Sequence, residues 1–178
     1  FYDQIFAKEP GTPRRTPWHQ DAPYWPVTGD MLATVYLALD PIDAENGGVE
    51  YIAGSHRWAT DYAPAPFREG GTAARRYVKS PLPSLPDIDG NRGALDIRSF
   101  DLAPGDAVIF HARLIHGASG NASATRRRRT LALRFAGDDV RWKPHSGTFK
   151  MLRMANLPLG APLSGPLFPI LWRAEVTP

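Results

Sequence analysis

No cysteine occurs among the 178 residues of the chain. Its absence excludes a disulfide framework, a thiolate-held zinc or iron–sulfur site and a cysteine nucleophile, so any metal must sit on nitrogen and oxygen ligands. The same absence agrees with a reducing compartment, and a cytoplasmic location is expected. No apolar run reaches the roughly 18 residues of a spanning helix, so no membrane partner is expected. The chain opens at Phe1 without methionine, and no charged leader followed by an apolar core is visible. The expectation is that an N-terminal portion of the natural protein is missing.

Charge of one sign is also scarce in excess. The 21 basic residues exceed the 18 acidic ones by 3, and four of the basic ones form the single run at 126–129. One run without a second basic patch is a weak footprint for nucleic acid, and no nucleic-acid partner is expected. With 43% hydrophobic and 22% charged residues, the composition is that of a globular protein. At this length one domain is expected over 1–178, with its core at about 15–140 and an irregular segment, 141–178, packed back on it. Nothing in the sequence fixes an oligomeric state.

Helical periodicity is nearly absent, whereas strand signals recur. Over residues 31–39 the odd positions read Met31, Ala33, Val35, Leu37 and Leu39, and the even ones Leu32, Thr34, Tyr36 and Ala38. A period of two predicts a strand with its odd side on a core and its even side on something less uniformly apolar. Asp40-Pro41 ends it, Asn46-Gly47-Gly48 turns the chain, and 49–52 alternates as the next strand. Residues 53–96 carry prolines and glycines with little period, as functional lids or partly disordered loops do. Further strands are predicted at 97–102, 106–111 and 127–136. Short strands separated by turns point to a β-sandwich or barrel.

His19 and Asp21, in TPWHQDAPYW, lie two residues apart. On a strand both would leave one face and could share an ion. A pair this short is a weak signal, and an ordinary structural reading stays open. Of the other histidines, His116 ends a strong strand pattern in LIHGASGN. His111 reads as supporting or structural, His56 as a turn residue in AGSHR, and His145 as exposed. Two histidines and a carboxylate on one side of a β-scaffold make the facial triad that leaves three positions open on Fe(II), although zinc accepts the same ligands. In RRRRTLALRF, positions Leu131, Leu133 and Phe135 read as a core face, with Thr130, Ala132 and Arg134 opposite. The same alternation carries Arg128 to the polar face, where its guanidinium forms a fork for a carboxylate. Arg126 and Arg129 read as solvated. Trp18, Trp25, Phe67 and Trp142 are candidates for lining an apolar pocket, or equally for packing.

Taken together, WHQD at 18–21, NGGVEYIAGSH at 46–56, GDAVIFHARLIHG at 105–117 and the arginine strand followed by GDD at 137–139 resemble the phytanoyl-CoA dioxygenase family. These are Fe(II)- and 2-oxoglutarate-dependent oxygenases. The motifs occur in the family's order and cover most of the chain from about Pro17 to Val140. The resemblance implies a mainly β double-stranded β-helix, a cupin-like jelly roll, lacking part of an N-terminal helical region. It implies His19, Asp21 and His116 as iron ligands, and an arginine that pairs with the far carboxylate of 2-oxoglutarate. Counting on from the second histidine reaches Arg127, whereas aligning the following strand reaches Arg128. Arg128 is preferred for its neighbours Thr130 and Ala132, with Arg127 the alternative, and Tyr36 falls beside the co-substrate.

The resemblance also implies the chemistry: Fe(II), 2-oxoglutarate and O2 as cofactor and co-substrates, and hydroxylation of a small organic substrate with release of succinate and CO2. Related halogenating enzymes lack the carboxylate ligand, and the presence of Asp21 favours hydroxylation. No coenzyme A determinant is recognisable, so the family name does not name the substrate. Two other functions remain: a zinc hydrolase or isomerase on the same scaffold, and a non-enzymatic binding module.

Overall fold

The alternating segments do become strands, and their pairing sets the architecture. The structure, a computed structural model, describes residues 2–64, 67, 80–145, 152 and 154–173. Its strands are β1 (Gln4–Lys8), β2 (Thr16–His19), β3 (Val27–Thr28), β4 (Leu32–Ala38) and β5 (Val49–Ile52). They continue with β6 (Ile97–Ser99), β7 (Ala107–His111), β8 (His116–Ala118), β9 (Arg128–Ala136) and β10 (Arg141–Trp142). One four-stranded sheet has the order β1-β9-β4-β7 and a second has β2-β8-β5-β6, with β10 and β3 forming a small ribbon. All pairings are antiparallel. Tyr36 and Phe110 of the first sheet meet Tyr51 of the second in one buried cluster, so the two sheets close on a shared interior. This is the expected mainly β jelly roll. Among the described residues no helix is long and apolar enough to cross a membrane.

Two face assignments are reversed relative to the sequence reading. In β4 the buried positions are Leu32, Thr34, Tyr36 and Ala38, the even set, while the odd positions are only half-buried and Met31 and Leu39 are exposed. In β9 the buried positions are Arg128, Thr130, Ala132 and Arg134, whereas Leu131 and Leu133 are half-buried and Phe135 is exposed. The more polar side of each strand therefore faces inward. The physical reason lies in the interior, which is partly a polar site, so its walls need hydroxyls and guanidinium groups where a simple core needs aliphatic ones.

The predicted strand at 97–102 is shorter than expected, ending at Ser99, and Leu102 forms an isolated bridge with Ile42. His116 does not close the strand of His111. The chain turns after His111, with Leu114 N–H donating to His111 O at 2.9 Å, and crosses to the other sheet, where His116 opens β8. Residues 154–173 are turns and irregular backbone, and Phe168 packs with Trp142 and Leu152. The predicted lid at 53–96 lies partly outside the described residues, at 65–66 and 68–79.

Candidate metal centre

His19 and His116 are brought together by strand pairing. In the β2–β8 ladder they are directly opposite, with a register shift between Thr16 and His19. Gly117 makes the approach possible, since a Cβ there would meet the Trp18 ring at 3.0 Å. The two imidazole centroids are 4.2 Å apart. In each ring Nδ1 contacts the carbonyl two residues earlier, Pro17 O at 2.8 Å and Leu114 O at 2.9 Å. A carbonyl can only accept, so Nδ1 carries the proton and Nε2 is left as a lone-pair donor.

Asp21 departs from the strand reading. It sits beyond the end of β2 at the N-cap of a short 3-10 helix, Ala22–Tyr24, with helical φ −73° and ψ −43°. Its own N–H and that of Ala22 both donate to Ala112 O, at 2.9 and 3.0 Å, which fixes this corner against the end of β7. The carboxylate still turns towards the imidazoles. Asp21 Oδ1 is 3.6 Å from His19 Nε2 and 4.0 Å from His116 Nε2. Asp21 Oδ2 accepts a 3.0 Å hydrogen bond from the Thr34 hydroxyl, which orients the group as second-layer partners of metal ligands do.

The electrostatics suit a cation. Burial pushes the Asp21 carboxyl up, but the close approach of His19 and the fields of His116, His19 and Arg134 outweigh it and hold the group well below the usual carboxylate range. Burial, then the field of His19, lowers His116 to about 4, against the opposing pull of Asp21. Near neutral pH the site therefore offers one anionic oxygen and a neutral imidazole at His116. All three donor atoms lie within 4.8 Å of one another. An ion about 2.1 Å from each ligand holds adjacent donors about 3 Å apart, so the widest separation needs to close by up to about 1.8 Å, shared between two side chains. Two nitrogens and one oxygen on one side of an ion fit a non-haem Fe(II) site with open positions.

Aromatic rings dress the triad. Tyr51 stacks on His116 at 6.1 Å and Phe110 lies 4.8 Å from it, while Phe67 stands edge-on to His19 at 4.9 Å. Beside His19 opens a hollow of about 210 Å³ whose walls include Trp18, Gln20, Tyr62, Ser84 and Leu85. Gln20 ties that wall together. Its amide donates to Thr60 O and Arg113 O, both at 3.0 Å, and its carbonyl accepts from Tyr62 N–H at 2.9 Å. Trp18 and Phe67 thus border the site, whereas Trp25 and Trp142 are core residues.

The arginine run resolves into different fates. Arg126 is held by Asp43 and Glu45, and Arg129 by Asp40, on the surface. Arg127 is turned outward as well, with 53% of its side chain exposed and an ion pair to Glu9 at 2.9 Å, away from the interior that Arg128 enters. Arg128 is 4% exposed and points into the barrel. It donates to Tyr36 Oη at 2.7 Å and Gly47 O at 2.9 Å, its Nε has no hydrogen-bond partner, and no carboxylate among the described residues pairs with it. Tyr51, which stacks on His116, feels the fields of both Arg128 and Asp21 and so lies near the guanidinium as well as the triad. Burial pushes the Tyr36 hydroxyl up despite Arg128, keeping it neutral.

The other histidines stay outside the triad. His111 contacts Asp30 O through Nε2 at 2.6 Å and accepts from Arg113 N–H at Nδ1, His56 lies in a 3-10 turn, and His145 is half-buried rather than exposed. Sequence reasoning missed Thr34, Tyr51 and Gln20. Thr34 is on an inward face that period-two alternation marks, but its polarity hid it on the side assigned away from the core.

The family model described as phytanoyl-CoA dioxygenase matches residues 1–129. The L-proline trans-4-hydroxylase of Streptomyces griseoviridis is 35% identical over 119 residues, covering 62% of this chain and 44% of that relative. Peroxisomal phytanoyl-CoA dioxygenase of Homo sapiens is 26% identical over 151 residues, covering 83% of this chain and 42% of that protein. The chain therefore spans less than half the length of these curated relatives. Among solved structures, the carbocyclase SnoK of nogalamycin biosynthesis superposes with a TM-score of 0.68 at 23% identity, covering 94% of this chain and 59% of SnoK. The epimerase SnoN, crystallised with Fe3+, α-ketoglutarate and nogalamycin RO, gives 0.67 at 23%, covering 95% and 63%.

Proposed function

Since the chain belongs to the phytanoyl-CoA dioxygenase family, we propose that it is the core of a non-haem Fe(II)- and 2-oxoglutarate-dependent dioxygenase that hydroxylates a small organic substrate. The observation that carries the reading is the buried His19–Asp21–His116 cluster, its donors within 4.8 Å, with the buried Arg128 guanidinium, with which no carboxylate among the described residues pairs, facing the same interior. The triad holds the iron. When bound, iron and 2-oxoglutarate together activate O2, and one oxygen atom goes to the substrate C–H while the keto acid becomes succinate and CO2.

The chain's own residues do the holding. Thr34 fixes the Asp21 carboxylate so that one oxygen faces the metal position, and the two Nδ1–carbonyl hydrogen bonds fix the imidazole tautomers. Arg128, steadied by Tyr36 and Gly47, takes the far carboxylate of the keto acid. The hollow beside His19 receives the substrate, and Trp18, Tyr62 and Leu85 favour one with apolar surface. Tyr51 and Phe110 shield the inner side of His116 from water. A cytoplasmic location belongs to the same reading, because a reducing compartment keeps the iron ferrous.

The test is an anaerobic titration with Fe(II) and 2-oxoglutarate. A visible charge-transfer band saturating at one equivalent is expected, together with succinate once air is admitted. Asp21→Ala should abolish both. A wild-type protein that takes up neither iron nor keto acid would overturn the proposal.

A further inference from the structure

We propose that Lys8 is a second cation for the far carboxylate of the co-substrate, acting beside Arg128; this rests on the reading of the site just given. In the β1–β9 ladder Lys8 is directly opposite Arg128. Paired residues leave a sheet on the same side, and Arg128 points inward, so Lys8 does too. Its 8% exposure agrees with that.

Both side chains cross from the first sheet to carbonyls at the end of the second. Lys8 Nζ donates to Ser119 O and Arg128 to Gly47 O. These acceptors are neighbours, since a Cβ on Gly47 would lie 3.0 Å from Ser119 O. The two cationic heads therefore end side by side. Asn121 ties the two segments together from behind, donating to Lys8 O at 3.1 Å at the end of β1 and to Arg126 O at 2.7 Å just before β9.

No carboxylate among the described residues lies within ion-pair distance of either head, although three of the four arginines at 126–129 have one. Two buried like charges with only neutral acceptors, two carbonyls and the Tyr36 hydroxyl, repel each other and are poorly solvated. Burial, then the fields of Arg128 and Arg15, accordingly lowers the Lys8 ammonium to about 8. The Arg128 Nε, buried and without a partner, is a further donor awaiting an acceptor. A carboxylate between the two heads satisfies all of these at once. A plain structural tie between the sheets would need neither a charge nor a second cation next to it.

The test compares two keto acids on the Fe(II)-loaded, anaerobic protein, reading Kd from the visible band. 2-Oxoglutarate has the far carboxylate and 2-oxobutyrate lacks it. In Lys8→Met the Kd for 2-oxoglutarate should rise about 10- to 100-fold while that for 2-oxobutyrate stays within about twofold of wild type. Lys8→Arg should keep 2-oxoglutarate affinity within about fivefold. Without metal or keto acid, Lys8→Met should melt at or above the wild-type temperature, because it removes one of two repelling charges. Equal effects on both keto acids, no effect on either, or a lower melting temperature for the unliganded variant with 2-oxoglutarate affinity intact would each overturn the assignment. Failure of the wild type itself to bind 2-oxoglutarate would overturn the parent reading, and this one with it.

Discussion

Replacing Tyr36 by Phe tests whether the guanidinium of Arg128 sits in a sealed, dry position. The substitution keeps the ring in the cluster with Ala38, Ile42, Tyr51 and Phe110 and removes only the hydroxyl. That hydroxyl accepts a 2.7 Å hydrogen bond from Arg128, and the one other acceptor of the guanidinium among the described residues is Gly47 O at 2.9 Å. Arg128 Nε already lacks a partner, so the variant leaves a second guanidinium N–H without an acceptor in a site where Arg128 is 4% exposed. Hydrogen bonds to a charged group contribute about 1.5–3 kcal/mol, and stranding the donor forfeits that amount. For a chain of this size each kcal/mol shifts the midpoint by about 2–4 °C, so the unliganded variant should melt about 3–12 °C below wild type. Denaturant unfolding at pH 7 gives the free energy and calorimetry the midpoint. A loss below about 0.5 kcal/mol would mean that water reaches the guanidinium, and the case for a buried carboxylate subsite at Arg128 would fail.

Gly47→Ala should be severely destabilising, by about 2 kcal/mol or more, because residue 47 has φ +83° and a Cβ there would lie 2.7 Å from Gly120 O; a variant with wild-type unfolding free energy would refute the turn geometry. Lys8 predicts an alkaline gain in stability. Its folded-state value of about 8 lies below the ordinary 10.5, so between these the unfolded chain binds more protons and the free energy of unfolding rises with pH. Allowing for solvent screening, the rise from pH 8 to 10 should be of order 1 kcal/mol in wild type and absent in Lys8→Met, as measured by urea unfolding at each pH. Tyr36 and Tyr51, both pushed up by burial, act in the opposite sense above pH 10, so the comparison ends there.

The ligand triad was legible in the sequence for a reason that did not depend on every local detail. His19 and Asp21 were expected on one strand, yet Asp21 lies past its end in a 3-10 turn. Their proximity in the chain kept the carboxylate within reach either way. His116 was harder, since its partner across the sheet is nearly a hundred residues away, and only the joint order of motifs connected it to His19. Which arginine enters the barrel followed from alternation along β9, a local property that a single-residue insertion in the preceding loop does not disturb. Lys8 was not legible at all, because its role arises from being opposite Arg128, and register between β1 and β9 leaves no mark in either segment alone.

Reading the faces failed in β4 and β9 for one shared cause. Counting apolar residues makes Val35, Leu37, Leu131 and Leu133 the natural core, yet these are only half-buried, while Thr34, Tyr36, Arg128 and Thr130 are enclosed. A barrel that binds a charged small molecule reverses the usual correlation between burial and apolarity along the walls of its site. Each inward polar group then needs a partner, and Thr34 with Asp21 across the interior and Tyr36 with Arg128 across adjacent strands supply two of them. Where the partner is missing, as at Arg128 Nε, the unmet donor points to the ligand. In such a fold the strand whose polar face repeats Thr, Tyr or Arg at every second position is therefore the one to search for the site, and its aliphatic face marks the outside of the sheet.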